Sequence, residues 1–395
     1  MKTSTPGFWK CYRDFCDYGK LPLEKKRIVF YSEGKAYWPF LAPFVKELIA
    51  STNEHLVYVS SETDDPGLTY HTERVSGFVV GSGMIRSFWF SLLKANVLVM
   101  TMPDLDIYYV KRSKASPVHY VYVMHGCDGV SMVLREQALD RFDSVFCAGP
   151  HNVEEIRKRE RMKNLPAKNL VEVGYPYQDE LIAAATTESK TCWTPEDNRP
   201  IRVLLAPSWS DKNVGTLETV GHELVGILLD AGLETTLRPH PQSRKFHPKV
   251  IEKIRTTYGK RSGFTLEADT TGKESLMKAD ILISDWSAIT FEFAFSRLKP
   301  VLSIDVPRKA MNPNYEELGI VPFEVRIREK IGAVLAPSDI RRAPEEIRRL
   351  CSQGNAYEEH LRKILTENVY NIGNSAAVGA AELVKLADHN APQAN

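Results

Sequence analysis

The chain of 395 residues is short of cysteine, of charge of one sign and of long apolar runs, and each shortage excludes something. Six cysteines with no CxxC pair supply neither a disulfide framework nor a zinc site, and read as reduced thiols. Lys+Arg 51 against Asp+Glu 50 leaves a net charge of +1, so no overall attraction to nucleic acid is expected. No low-complexity tract or fixed-period repeat accompanies the 23 glycines and 23 prolines, which excludes collagen-like and disordered chains. The most hydrophobic stretch, Met84–Thr101, is broken by Arg86 and Lys94 and is too short to span a bilayer. The first residues, MKTSTPGFWKCYRDFCDYGK, hold no apolar run and no small-residue cleavage site of a secretory signal. GxSxG, HExxH and Walker motifs are missing. These exclusions lead us to expect a cytoplasmic protein, either free or held peripherally on the inner face of the cell membrane.

What is present is an α/β pattern. A length of 395 residues is enough for about two to three domains. Short runs rich in Val, Ile, Leu and aromatics predict strands at Arg27–Tyr31, Leu56–Val59, Asn96–Thr101, His119–Met124, Ser144–Cys147 and Leu170–Val173. A second set follows at Arg202–Leu205, Glu234–Leu237, Phe264–Leu266, Asp280–Ser284 and Pro300–Ile304. Helical periodicity falls between them at Trp38–Ala50, His151–Arg159, Leu217–Ala231, Phe246–Tyr258 and Ile289–Ser296. Residues Ala183–Pro200 lose periodicity, collect Thr, Ser, Asp and Pro, and read as a linker. The expected organisation is residues 1–185 and 200–375 as two Rossmann-like, doubly wound domains facing each other across a cleft. Residues 376–395 are expected to form a helix crossing back to the first domain.

Four segments place polar residues directly after strands. In HGCDG, His125 and Gly126 follow the strand HYVYV, where an imidazole can project into a crevice and act as general base. A turn histidine ahead of a helix at Val130–Leu139 would look the same. Asp128 could orient His125, serve as the base, or merely cap that helix. In RPHP, Arg238 offers a phosphate fork and His240 a donor, held between two prolines that would also suit a plain turn. In SDWSAIT, Ser287 is placed at a helix N-cap with Thr290 behind it, a phosphate cradle or an ordinary cap. Glu292, on the next turn, suits ribose hydroxyls or simply a solvated face. In LLAPSWSDKN, Ser208, Ser210 and Lys212 stand where a phosphate could approach or where a surface loop would put them.

Other candidates carry less. Asp104-Leu105-Asp106 has the DxD spacing of metal-binding loops, but two acids in an exposed loop are common and no metal or other cofactor is expected. Gly81-Ser82-Gly83 lacks the rest of a dinucleotide fingerprint and follows no clear strand. Cys127 has no third partner for thiol chemistry. Near the start, Phe8, Trp9, Tyr12, Phe15 and Cys16 have helical spacing beside Lys10, Arg13 and Lys20. Such a helix either lies in a membrane interface or packs on the body of the protein.

The order of blocks from about His119 to Leu318 resembles the CDP-glycerol glycerophosphotransferase family. The blocks are HG at 125–126, AGPHNVEEI at 148–156, VGYPYQDEL at 173–181, LLAPSW at 204–209, RPHP at 238–241 and SDWSAITFEFAF at 284–295. The resemblance implies a GT-B fold, an acceptor on the N-terminal domain and a CDP-activated donor on the C-terminal domain. It implies His125 as base, His240 on the donor phosphate, and Ser287 and Thr290 near the pyrophosphate. The expected reaction moves a polyol phosphate from a CDP- or CMP-linked donor to a glycan or lipid-linked acceptor in teichoic acid or capsule synthesis. The HP and Ser/Thr pairing is also similar to CMP-sialic acid and CMP-Kdo transferases, which leaves a CMP-sugar or UDP-sugar glycosyltransferase open. So do a nucleotide-sugar 2-epimerase and a non-catalytic nucleotide-binding module.

Overall fold

The computed structural model describes all residues except 1–5, 109, 188–192, 195, 211, 213, 268–272 and 392–395. The middle of the expected linker, and Asp211 and Asn213 of the fourth segment, therefore lie outside the described residues. The chain forms two compact units, one from Met1–Asp179 with Val369–Asn395, the other from Glu180–Asn368. The chain leaves the first unit inside the helix Pro176–Thr187 and returns just after the helix Gly354–Asn368. The expected breaks stood later, at 185–200 and 375–376.

Unit 1 is a seven-stranded sheet. Its strands are β1 (Ile28–Ser32), β2 (Leu56–Ser60), β3 (Val75–Val79), β4 (Val97–Met100), β5 (His119–Val123), β6 (Ser144–Cys147) and β7 (Asn169–Glu172), in the order β3-β2-β1-β4-β5-β6-β7. All pairs are parallel, Ile28 facing Leu56 on one side and Val97 on the other. The inner strands are apolar on both faces, as a sheet covered by helices requires. On one face, Leu41, Phe44 and Leu48 of the helix Trp38–Ser51 meet Ala380, Leu383 and Ala387 of the helix Ser375–His389. Asp179 fixes the start of that last helix by accepting from Gly373 N at 2.7 Å and Ser375 N at 3.0 Å. Its far end is held by Asn96 Nδ2, which donates to Ala387 O at 2.9 Å.

Unit 2 is a six-stranded parallel sheet of β8 (Arg202–Leu205), β9 (Glu234–Leu237), β10 (Phe264–Leu266), β11 (Ile281–Ser284), β12 (Val301–Ile304) and β13 (Gly332–Leu335), in the order β10-β9-β8-β11-β12-β13. Asp280 anchors its base, accepting from Arg199, Lys299 and the Arg202 main chain. Burial works to raise its pKa, yet these donors outweigh it and hold the carboxyl below its usual range. Both units are doubly wound, and the fold class expected from the sequence, a pair of parallel α/β units of GT-B type, is the one found.

Several local expectations need correction. Two edge strands, β3 and β13, were missed, and β3 stands directly before Gly81-Ser82-Gly83. The helix expected at Phe246–Tyr258 is two helices, Pro241–Phe246 and Pro248–Tyr258, because Pro248 favours a first helical position over an interior one. Leu217–Ala231 likewise splits at Val220 into Thr216–Thr219 and Gly221–Asp230. No helix forms at Val130–Leu139, which is a series of turns, so Asp128 caps nothing there.

Gly379 marks a close approach between the two core helices of unit 1, where an added Cβ would stand 2.2 Å from Phe44 Cε1. We expect Gly379→Ala to lower stability by about 1–3 kcal/mol through overpacking, read as a lower urea midpoint.

Candidate active site

In unit 1 the candidate histidine stands just past the C-terminal end of β5. Val123 ends the strand and Met124 is buried, so the chain turns outward at His125. Tyr122 Oη lies 3.3 Å from His125 Nδ1, and Tyr175 Oη donates to the His125 carbonyl at 3.1 Å. The rings of Phe40, Tyr37 and Tyr122 surround the imidazole at centroid distances of 5.9, 6.3 and 6.3 Å. Burial among them pushes the His125 pKa down to about 4, so the ring is neutral at pH 7.

The HGCDG loop is held by the helix Pro150–Lys163. Glu155 accepts from Val130 N at 2.8 Å and Ser131 N at 2.7 Å. Asn152 Nδ2 donates to the Asp128 carbonyl at 2.9 Å. A Cβ on Gly129 would fall 2.7 Å from the Glu155 carboxylate, so that glycine permits the close approach. Gly126 is buried in the same turn and Asp128 is half-buried. Sequence reasoning missed Tyr122, Glu155, Asn152 and Tyr175, although the last three lie inside the quoted blocks AGPHNVEEI and VGYPYQDEL.

In unit 2 the remaining candidates gather at the C-terminal ends of β9, β8 and β11, which are neighbours in the sheet. The link between β8 and β11 is where the strand order reverses, the usual ligand crevice of an open α/β sheet. Buried Asp285 ties the loops, its carboxylate accepting from Ser208 N at 2.8 Å and Thr216 N at 3.2 Å. Arg238 N donates to Leu205 O at 2.9 Å, which fixes the start of RPHP against β8. The Arg238 guanidinium stands 3.8 Å from the Glu267 carboxylate.

His240 caps the helix Pro241–Phe246, its Nδ1 accepting from Gln242 N at 3.1 Å. That bond places the proton of the neutral ring on Nε2, which makes Nε2 a donor. Burial and the nearby Lys309 push its pKa down to about 4. The ring lies nearly parallel to Trp209, and Lys309 Nζ sits over the Trp209 ring at 4.8 Å.

Ser287 does not cap the helix Ile289–Arg297 as expected. Ala288 is the capping residue, no side chain bonds to the first turn, and the Ser287 carbonyl accepts from Thr290 N at 3.0 Å. Thr290 is buried with its hydroxyl oxygen lacking a partner, and Glu292 is half-buried on the same helix. Ser210 Oγ accepts from Lys212 N and Val214 N, a turn within the loop. Ser208, Arg238, His240, Ser287, Thr290 and Glu292 thus belong to one unit, and His125, Gly126 and Asp128 to the other.

The DxD acids do not act as a pair. Asp104 forms an ion pair with Arg135, while Asp106 accepts from Arg112 N at 2.7 Å. Among the described residues no group of three or more His, Cys, Asp or Glu could hold a metal ion. The five described cysteines are free thiols, Cys127 among them buried.

A family model described as CDP-Glycerol:Poly(glycerophosphate) glycerophosphotransferase matches residues 18–305. No curated protein sequence matches the chain. Among solved structures, the wall teichoic acid polymerase TagF superposes with a TM-score of 0.60 at 15% identity, covering 96% of this chain and 94% of that one. A histidine-to-asparagine form of that polymerase soaked with CDPG gives 0.59 at 14% identity, covering 98% and 95%. A UDP-GlcNAc 2-epimerase from Neisseria meningitidis bound to UDP-GlcNAc gives 0.55 at 13% identity, covering 91% and 99%. At these identities the structural likeness shows the fold.

Asp285→Ala leaves two buried N–H groups without acceptors. We expect a loss of about 1–3 kcal/mol for each in chemical denaturation.

Proposed function

The chain belongs to the CDP-glycerol:poly(glycerophosphate) glycerophosphotransferase family and is a transferase, and we propose that it moves glycerophosphate from CDP-glycerol to a hydroxyl of a glycan or lipid-linked acceptor. The family match carries this reading. The chemistry of the two histidines supports it. The acceptor oxygen attacks the β-phosphorus and forms the new P–O bond. The bond from that phosphorus to the bridging oxygen breaks, and CMP leaves with the electron pair. His125, neutral at working pH, takes the acceptor proton. His240 donates through Nε2 to a phosphate oxygen, and Arg238 adds its charge as negative charge builds on the departing CMP. Thr290, whose buried hydroxyl lacks a partner, and Ser287 supply further donors near the pyrophosphate. Glu292 accepts from the ribose, Ser208 and Gly126 bring main chain to the ligands, and Asp128 is the alternative base. Phosphoryl-type transfer of this kind needs positioning and charge stabilisation more than covalent help.

The same reading includes a peripheral contact with the membrane that carries the acceptor. No helix among the described residues is long and apolar enough to cross a membrane. The helix Phe8–Lys20 buries Cys11, Asp14 and Tyr18 but exposes Phe8, Trp9 and Tyr12, and it packs beside the helix Met84–Ser91, which exposes Met84 and Phe88. Aromatic and apolar groups on adjoining helices, with Lys10 and Arg13 beside them, suit the interfacial zone of a bilayer.

We expect His125→Ala to lower kcat for CMP release by about 10²–10⁴-fold with little change in donor affinity. His240→Ala is expected to weaken donor binding and turnover together. Because His125 must be unprotonated to act and its pKa is depressed to about 4, the rate holds as pH falls from 7 to 5 and declines on approaching pH 4. An acid limb near pH 6.5 places the base elsewhere, and turnover of UDP-GlcNAc without acceptor overturns the transferase reading. Trp9→Glu with Phe88→Glu is expected to abolish flotation with anionic phosphatidylglycerol vesicles while CMP release to a soluble acceptor persists.

A further inference from the structure

Unit 1 contains a cavity of about 680 Å³, within the usual size of a small-ligand site, at the C-terminal ends of β1, β4 and β5. It lies over the β1–β4 link, where the strand order of this sheet reverses. His125 forms part of its wall. Glu33 follows β1, Thr101 and Asp104 follow β4, and Arg86 and Arg135 come from the surrounding helix and loops.

One pair of charges in this cavity is already matched. Arg135 is ion-paired with Asp104. Burial raises the Glu33 carboxyl above its usual range, outweighing the Arg86 guanidinium and the Tyr37 hydroxyl, which act to lower it. Arg135 therefore already has its carboxylate partner, while Arg86 acts on Glu33 only through its charge. A phosphomonoester, carrying about −1.5 to −2 at pH 7, would enter beside the Asp104 carboxylate and meet a like charge whose cationic partner is already engaged.

The unsatisfied atoms point to a different ligand chemistry. Asp104 Oδ1, Thr101 Oγ1 and Arg86 Nε are buried and have no hydrogen-bond partner. They are an acceptor, a hydroxyl that serves either way, and a donor. Thr101 and Asp104 are only 1% and 8% exposed, so bulk water does not satisfy them. Adjacent hydroxyl groups, each able to donate and accept, match this set, whereas phosphate oxygens offer acceptors alone.

We propose that Asp104, Thr101 and Arg86 select the end of the acceptor, admitting a neutral vicinal diol and rejecting a terminal phosphomonoester. This rests on the transferase reading for the word acceptor, and on the cavity alone for the selectivity. It gives the DxD loop a role in substrate choice.

The test is a binding titration on the full chain, with no donor and no turnover. The probes are a synthetic glycerol–phosphate–glycerol dimer with a free diol end and the same dimer ending in a phosphomonoester. Wild type is expected to bind the diol-ended dimer about tenfold more tightly. Asp104→Asn, which removes a carboxylate and releases Arg135, should reduce that preference at least to about twofold. Thr101→Val should weaken the diol-ended dimer about threefold to tenfold and leave the other unchanged. If Asp104→Asn fails to fold, Asp104→Ser, which also removes the carboxylate and releases Arg135, replaces it with the same expectation. Equal or tighter binding of the phosphomonoester by wild type overturns the proposal, as does an unchanged preference in the folded carboxylate variant. A chain that releases no CMP with any acceptor but still prefers the diol refutes the transferase reading and leaves this one standing.

Discussion

Buried carboxylates that accept main-chain N–H groups hold the working loops of both units. Asp285 joins the loop after β8 to the loop after β11, and Glu155 receives the turn that follows His125. Asp65 does the same at the ends of β1 and β2, accepting from Ser32 and Ser60 hydroxyls and from Gly67 N. A loop leaving a parallel strand loses its ladder partners, and its N–H groups need others if they are buried. A carboxylate offers two oxygens with several lone pairs, so one side chain can satisfy two segments and fix their spacing. The positions of Ser208 and His125 follow from that arrangement more than from any contact of their own side chains.

The inner strands were readable because parallel strands covered on both faces are continuous apolar runs, as in Val97–Met100 and Ile281–Ser284. The missed strands stand at sheet edges and carry glycine. In β3, Gly77 packs so closely that a Cβ would meet Leu68 O at 2.1 Å, and β13 begins on Gly332 with most residues half-buried. β3 lacks the unbroken apolar run that marks an inner strand, and β13 opens on Gly332 and Ala333, which carry little strand preference. At the candidate site, residues following strands directly, such as His125 and His240, were legible from position alone. Their supports were not. Tyr175 reaches back 50 residues to His125, and Asp285 reaches 77 to Ser208, separations at which spacing in the sequence carries no signal. Ser287 was misplaced by one position for a simpler reason: serine is a favoured cap, and here alanine occupies the cap.

The two histidines reach similar acidity by different surroundings. Around His125 the cause is burial among aromatic rings, with a tyrosine hydroxyl at Nδ1. Around His240 burial acts together with a lysine, and a backbone N–H occupies Nδ1. The second arrangement fixes a tautomer outright. The first leaves the proton's place to the tyrosine, which can donate or accept, so the same ring can hold a proton at either nitrogen as needed.

The return of the chain to complete unit 1 has a consequence for its synthesis. Phe44, Leu41 and Leu48 are covered in part by the helix Ser375–His389, which is made only after residues 180–368. At ribosomal rates of about 5–20 residues per second, that interval lasts about 10–40 s. Throughout it, one face of the first sheet lacks part of its cover while the second unit is being made. A nascent chain in this state offers chaperones a defined apolar groove, and a ribosome stalled before Ser375 leaves that groove open.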